Sequence, residues 1–272
     1  VIIRCEAEII DSRMDGTIAI ADSSGHEYKR DRDTSGRDPL LDFTAPKDDH
    51  YLLRVHDFTY AGGTHYPYRL IVTDAPHIDF IDPPAGPLGT TGKFKIYGRN
   101  LPGGSTGEGI RLGLEELESI EVEIPLDQRK TLELEAGGIH SSLVPGMTWR
   151  LESNGRKSNP IRVGFSRFPV MEGNEGQEQA IRVPSETHAR FDAKGDLDQY
   201  RFEAKGGEPL WIECIASRIR AGSDPVLWID QVTVDAEGIE QFKEIASNDD
   251  PGGNPGGADF PFRNNDCSLL FT

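Results

Sequence analysis

VIIRCEAEIIDSRMDGTIAI, residues 1–20, lies without a gap over LWIECIASRIRAGSDPVLWI, residues 210–229. Cys5 meets Cys214, and Ile3, Ala7, Ile10, Asp15 and Ile20 meet Ile212, Ala216, Ile219, Asp224 and Ile229. The match resumes where DPLLDFT, residues 38–44, meets DCSLLFT, residues 266–272. A sequence that repeats itself in this way encodes a tandem of related modules. The first copy runs on through residues 45–73, and the second has related sequence ahead of Leu210. Joined, the two partial copies predict a whole module of roughly 130 residues, an ordinary domain size. The chain reads as a piece of a longer repeat-bearing protein, with two partial modules around an unrelated middle.

In both copies the residues at steps of two are apolar: Val1, Ile3, Cys5 and Ala7, then Leu210, Ile212, Cys214 and Ala216. Their alternates, Arg4, Glu6, Glu8, Glu213 and Ser217, are polar. A period of two predicts a half-buried strand with the cysteine pointing inward. Free cysteine packs as a small hydrophobe, so Cys5 and Cys214 read as core thiols. Three cysteines are an odd count and no disulfide framework. Cys5 and Cys214 sit at equivalent places in different modules and are not each other's partners. A Cys214 to Cys267 bridge stays open, and Pro39 at the place of Cys267 means the first copy would not share it.

The remaining pattern is almost wholly β. Tyr51, Leu53 and Val55 alternate with Leu52, Arg54 and His56, and after YAGGTHYP (60–67) Tyr68, Leu70 and Val72 alternate with Arg69, Ile71 and Thr73. That pattern predicts a hairpin with an aromatic inner face. Tyr200, Phe202 and Ala204 alternate with Gln199, Arg201 and Glu203 before KGGE (205–208) turns the chain into the strand at Leu210. Only RLGLEELES (111–119) has weak helical character, and Gly113 weakens it by about 1 kcal/mol relative to alanine. Many short strands with Gly and Pro turns predict an all-β chain of tandem sandwich or barrel modules. The boundaries fall at 1–74, 76–165 and 170–272.

Composition fits that organisation. Hydrophobic residues make up only 36% of the chain, and 30 Gly and 18 Pro explain why: short strands joined by turns bury little per residue. The formal charge of −17 argues against a nucleic-acid partner, which needs a basic surface. It suits cation binding or plain solubility. No apolar run approaches the ~18 residues of a membrane span, so no span is expected within this sequence.

The middle segment opens PHIDFIDPPAGPLGTTGKFKIYGRNLPGG (76–104). Its first strand (78–81), Pro-Gly turn (83–89), second strand (94–97) and G-x-N-L step (98–101) resemble the TIG or IPT class of immunoglobulin-like domains. Residues 147–151, the Asn154-Gly155 turn and residues 161–163 would then be closing strands. The flanking segments resemble the bacterial pre-peptidase C-terminal domain, a jelly-roll-like sandwich found as an accessory module in secreted and surface proteins. The resemblance is carried by EGNE (172–175), GDLDQYRF (195–202), SDPVL (223–227) and SNDD (247–250), and in the first copy by DPLLDFT, YLLRV (51–55) and YRL (68–70). Gly173 and Glu175 depart from the family's usual opening, and residues 251–263 are a long Gly/Pro-rich insertion.

The resemblance implies calcium at Glu172, Asn174, Asp196 and Asp198, with Glu175 beside them. Calcium takes six to eight oxygens, which carboxylates and amides from two adjoining loops can supply. The competing reading is that Asp, Asn and Gly are ordinary turn residues whose side chains bond their own backbone. A second acidic group, Asp31, Asp33 and Asp38 with its counterpart Asn248, Asp249, Asp250 and Asp266, is read as solvated loop tips, with a separate cation site as the alternative.

No catalytic constellation is expected. GGSTG (103–107) matches G-x-S-x-G formally, but Asn100-Leu101-Pro102 precedes it and Glu108-Gly109 follows, where a nucleophile elbow needs a strand and then a helix. The seven histidines, among them His140, show no metal-ligand spacing, and residues 252–257 lack the Lys-Ser of a phosphate loop. The expected function is a non-catalytic modular region of a large secreted or cell-surface bacterial protein, placed outside the cell, on its surface or in the periplasm. Its modules would act as spacers or adhere to extracellular polysaccharide or protein; exposed Trp211 with Trp228 is the feature that would make a face adhesive, and packing against a neighbouring module is the favoured reading of the same residues. The alternative is an accessory secretion or targeting region of an extracellular hydrolase whose catalytic domain lies elsewhere.

Overall fold

A computed structural model describes the protein at residues 1–33, 38–112, 115–127, 144–174, 176–219, 222–250 and 265–272. Glu175, His140 and the insertion at 251–263 lie outside the described residues. The fold is nearly all β, and among the described residues only single 3-10 turns accompany the strands. By internal packing it divides into two units. One comprises Val1–Ile81, Lys93–Val122 and Arg150–Pro160, the other Asp82–Gly92, Glu123–Trp149 and Ile161–Thr272. No helix among the described residues is long and apolar enough to cross a membrane.

The first module contains β1 (Ile2–Glu6), β2 (Gly16–Asp22), β3 (Glu27–Asp31), β4 (Leu40–Asp42), β5 (Tyr51–Asp57) and β6 (Arg69–Thr73). They form two three-stranded antiparallel sheets in the orders β4-β1-β6 and β3-β2-β5. Ile3 and Cys5 of β1, Ile18 and Ile20 of β2, and Leu41 of β4 meet in one buried cluster with Ala7, Met14 and Phe43. The inward cysteine of the alternating pattern is thus a core residue, and burial pushes its thiol up to about 11. Tyr28, Phe43 and Tyr51 close the cluster edge-on or tilted, with centroids 5.0 to 5.9 Å apart.

The expected hairpin over residues 51–73 is not formed. β5 pairs with β2 and β6 with β1, so the two strands belong to different sheets. Alternation identifies the two faces of a strand but not its neighbour. Tyr51, Leu53, Val55 and Tyr66 do pack on the core, whereas Tyr68, Leu70 and Val72 are exposed.

The middle segment supplies β7 (His77–Asp82), β8 (Ala85–Pro87), β9 (Thr91–Arg99), β10 (Arg111–Leu112), β11 (Glu115–Glu116) and β12 (Glu118–Pro125). It continues with β13 (Gly146–Trp149), β14 (Glu152–Ser153), β15 (Arg156–Lys157) and β16 (Ile161–Ser166). Its sheets are ordered β12-β9-β7 and β13-β16-β8, with β8 parallel to β16. The weak helix expected over 111–119 is replaced by strands: β10 pairs antiparallel with β11, Arg111 opposite Glu116 and Leu112 opposite Glu115. The weak helical character of this short run did not outweigh pairing along a sheet. Asn154 (φ 50°) and Gly155 (φ 74°) are both left-handed between β14 and β15, the two-residue turn whose twist suits a hairpin. Gly98 has no substitute, since a Cβ there would lie 2.0 Å from the His77 carbonyl oxygen. Lys29 Nζ donates to Asp42 at 3.0 Å and to Glu115 at 2.8 Å, tying β3, β4 and β11 together.

The second module contains β17 (Val170–Glu172), β18 (Gln179–Ala180), β19 (Glu186–His188), β20 (Tyr200–Arg201), β21 (Leu210–Cys214), β22 (Leu227–Val234), β23 (Glu240–Asn248) and β24 (Cys267–Phe271). β17 with β19 and β18 with β20 are parallel pairs, and β21 with β24 and β22 with β23 are antiparallel. The strand expected from Tyr200 to Ala204 ends at Arg201.

The sequence repeat extends to individual hydrogen bonds. Asp38 Oδ1 accepts from the amides of Ala7 and Glu8, both at 2.8 Å, and Oδ2 from Ile9 at 3.3 Å. Asp266 Oδ1 accepts from the equivalent amides of Ala216 and Ser217 at 2.7 and 2.6 Å, and Oδ2 from Arg218 at 3.4 Å. In each copy the clamp holds the 3-10 turn after the first strand, Glu8–Ile10 or Ser217–Ile219. A second clamp also recurs. Asp31 Oδ2 accepts from the Leu40 amide at 2.7 Å, and Asn248 Oδ1 from the Ser268 amide at 3.0 Å. Ile18 opposite Asp31 corresponds to Leu227 opposite Asn248, and both ladders shift register just after the matching isoleucine, Ile20 or Ile229. Asp31, Asp38, Asn248 and Asp266 are therefore not the solvated loop tips expected of them: Asp266 is only 4% exposed.

Candidate functional site

An open cleft of about 760 Å³ lies where the first module meets β10. Thr17 of β2, Arg30 and Asp31 of β3, and His56 of β5 line it, with Arg32, Asp33, Phe58 and Tyr60 from the loops that follow β3 and β5, and Leu112 of β10. It is built from Asp57, the last residue of β5. Asp57 Oδ1 accepts from the Thr59 hydroxyl at 2.7 Å and from the amides of Thr59 and Ala61 at 3.0 and 2.9 Å, while Oδ2 accepts from the Asp15 amide at 3.0 Å. The Thr59 hydroxyl, then the Asp15 amide and the further loop amides, hold this carboxyl down to about 2. A carboxylate that gathers its own loop's amides fixes the turn before any ligand arrives.

The turn projects Tyr60 in the left-handed region, φ 58°, with 79% of its surface in solvent. Its ring stacks on His56, centroids 4.5 Å apart and planes 4° from parallel. His56 Nδ1 donates to the Asp57 carbonyl at 2.8 Å, which in the neutral ring leaves Nε2 as the acceptor. Across the cleft the Arg32 guanidinium sits 4.0 Å from the centroid of the Phe58 ring and donates to Asp33 at 2.7 Å. Arg30 forks onto Glu27 at 2.9 and 2.7 Å, an ion pair that raises the Arg30 pKa. Thr17 Oγ1 is buried without a hydrogen-bond partner among the described residues. The cleft thus offers two flat aromatic faces and charges whose orientation is already set by neighbours. Such a surface can stack the C–H faces of a ring and hydrogen-bond hydroxyl groups at its rim.

The residues named for calcium lie in two turns. Glu172 ends β17, and the Gly173 amide donates to the His188 carbonyl at 2.8 Å. The side chain of Gln179 bridges this turn, accepting from the Asn174 amide at 3.0 Å and donating to the Glu172 carbonyl at 2.9 Å. In the other turn, Asp196 Oδ2 accepts from the Asp192 amide at 2.7 Å and Oδ1 from the Leu197 amide at 2.9 Å. Burial raises the Asp198 carboxyl, and the charges of Asp196 and Asp192 raise it further. Among the described residues no group of three or more His, Cys, Asp and Glu side chains is placed to hold a metal ion.

Trp211 and Trp228 are exposed, at 63% and 43%, on β21 and β22, and Trp211 lies opposite exposed Leu270. Ser105 of the G-x-S-x-G match forms a bridge with Ser119, between the left-handed Gly103 and Gly107. The cleft escaped sequence reading because DFTYAGG (57–63) looks like a bare turn. Its signal was two aromatic residues, Phe58 and Tyr60, within a segment otherwise made of turn formers. Compared with protein-family models, with curated proteins and with solved structures, the chain matches none.

Proposed function

We propose that this chain is a non-catalytic, modular region of a secreted or cell-surface bacterial protein, built from pre-peptidase-type modules around an immunoglobulin-like one. In this reading its first module adheres to extracellular polysaccharide. The observation that carries the reading is the pre-ordered Tyr60–His56 stack beside Phe58, held open to solvent by Asp57. Exposing two aromatic rings costs hydrophobic free energy that a sugar face would recover, and a loop fixed in advance loses little entropy on binding. Affinity electrophoresis in gels containing soluble β-glucan, xylan or pectin tests it. Retardation by at least one polysaccharide is expected, weakened about thirtyfold in Tyr60→Ala, the ~2 kcal/mol of an aromatic hot spot. Retardation that Tyr60→Ala and Phe58→Ala leave unchanged, or none in any gel, counts against the cleft.

A second reading is calcium at Glu172, Asn174, Asp196 and Asp198, supported by one observation: burial raises the Asp198 carboxyl and the charges of Asp196 and Asp192 raise it further, a repulsion that a cation would relieve. Extracellular modules bind calcium at roughly 0.1 to 1 mM. Calorimetric titration should then give saturable heat that disappears in the double variant Asp196→Asn, Asp198→Asn. No heat up to about 10 mM removes calcium from the account.

A further inference from the structure

We infer that Cys214 and Cys267 are a disulfide-forming pair, a covalent staple that only the second copy carries. They stand directly opposite one another across the β21–β24 ladder, at the end of an unbroken register that begins with Leu210 opposite Phe271. Directly opposed residues of an antiparallel pair have Cα atoms about 4.5–5.5 Å apart, inside the ~4.4–6.8 Å that a disulfide spans, and their side chains share one face of the sheet. Both are thiols in this structure, Cys214 half-buried and Cys267 buried. The first copy is a built-in control. Cys5 occupies the place of Cys214, but Pro39 occupies that of Cys267, and the Cys5 amide donates to the Pro39 carbonyl at 3.1 Å. The staple would close the loop that includes Asp266, beside the carboxylate that already clamps residues 216–218.

The oxidant is a low-molecular-weight disulfide of the glutathione kind. The Cys214 thiolate, the more accessible of the two, attacks one sulfur of that disulfide and expels one carrier thiolate, forming a mixed disulfide. The Cys267 thiolate then attacks the Cys214 sulfur and expels the second. The carrier gains two electrons, and its two thiolates take up the two protons that the cysteines released. Burial pushes the Cys267 thiol up to about 12 and raises Cys214 as well, so exchange proceeds while the module folds or when β24 opens, and slowly otherwise.

The test incubates the full chain with mixed oxidised and reduced glutathione, alkylates in denaturant, and maps the peptides without reduction. The expected result is the Cys214 peptide joined to the Cys267 peptide, lighter than their sum by two hydrogen atoms, with Cys5 fully alkylated. A Cys267→Ser chain should then carry alkylated or glutathione-capped Cys214 and no internal link. Alkylation of all three cysteines in the parent chain, or a link that uses Cys5, overturns the proposal.

Discussion

Asp57 and Asp79 pull the acid stability of this protein in opposite directions. Asp57, bonded to the Thr59 hydroxyl and three amides, is held down to about 2. Asp79 is buried 3.4 Å from Arg99, and burial lifts it to about 6, with Arg99 opposing the shift and Asp42 adding to it. A carboxyl raised in the folded state binds more protons there than in the unfolded chain, so Asp79 contributes stability as pH falls from about 6 to about 4. A carboxyl depressed in the folded state does the reverse, so Asp57's contribution is present above about 4 and lost on acidification toward 2. Urea midpoints across this range are therefore expected to rise and then fall. Asp79→Asn should flatten the upper limb and Asp57→Asn the lower, and an Asp79→Asn curve that keeps its upper slope would assign that limb to other groups. Neither role was legible beforehand, since the sequence shows an Asp but not the amides that surround it.

At the scale of elements, the two copies differ in what lies beside their strands. β1 carries β4 on one edge and β6 on the other, and β2 lies between β3 and β5. Among the described residues β21 carries only β24, and β22 only β23. Trp211, Leu270, Phe242 and Val234 are exposed on these pairs, at 59 to 67% of their surface. Open edges with apolar neighbours invite pairing between chains. Sedimentation should show association that grows with concentration, and Trp211→Lys should weaken it. A monomer at every concentration would remove the idea. Strand identity was readable because a period of two is local. Partner choice was not: nothing in Tyr51 to Val55 says that β2 rather than β6 will be its neighbour, and the weak helical character of 111–119 gave way to strands with Arg111 opposite Glu116.

For the whole molecule, one module built twice is the claim on which the rest depends. The aligned cysteines, isoleucines and terminal DPLLDFT and DCSLLFT segments announced it, and the recurrence of Asp38 as Asp266 was visible as a letter. What the letter could not convey is that each carboxylate reaches back about thirty or fifty residues to the same three amides. The cleft was hidden for the opposite reason: its residues come from β2, β3, β5, the loops after β3 and β5, and β10, and no run of sequence contains it. The decisive measurement is amide hydrogen exchange on the parent chain beside Asp38→Ala and Asp266→Ala. Losing the clamp should accelerate exchange at Ala7 and Glu8 in the first variant and at Ala216 and Ser217 in the second, by about tenfold or more for amides that lose ~1.5 kcal/mol of protection. Acceleration at one turn with no change at the other, or at neither, would contradict a shared architecture.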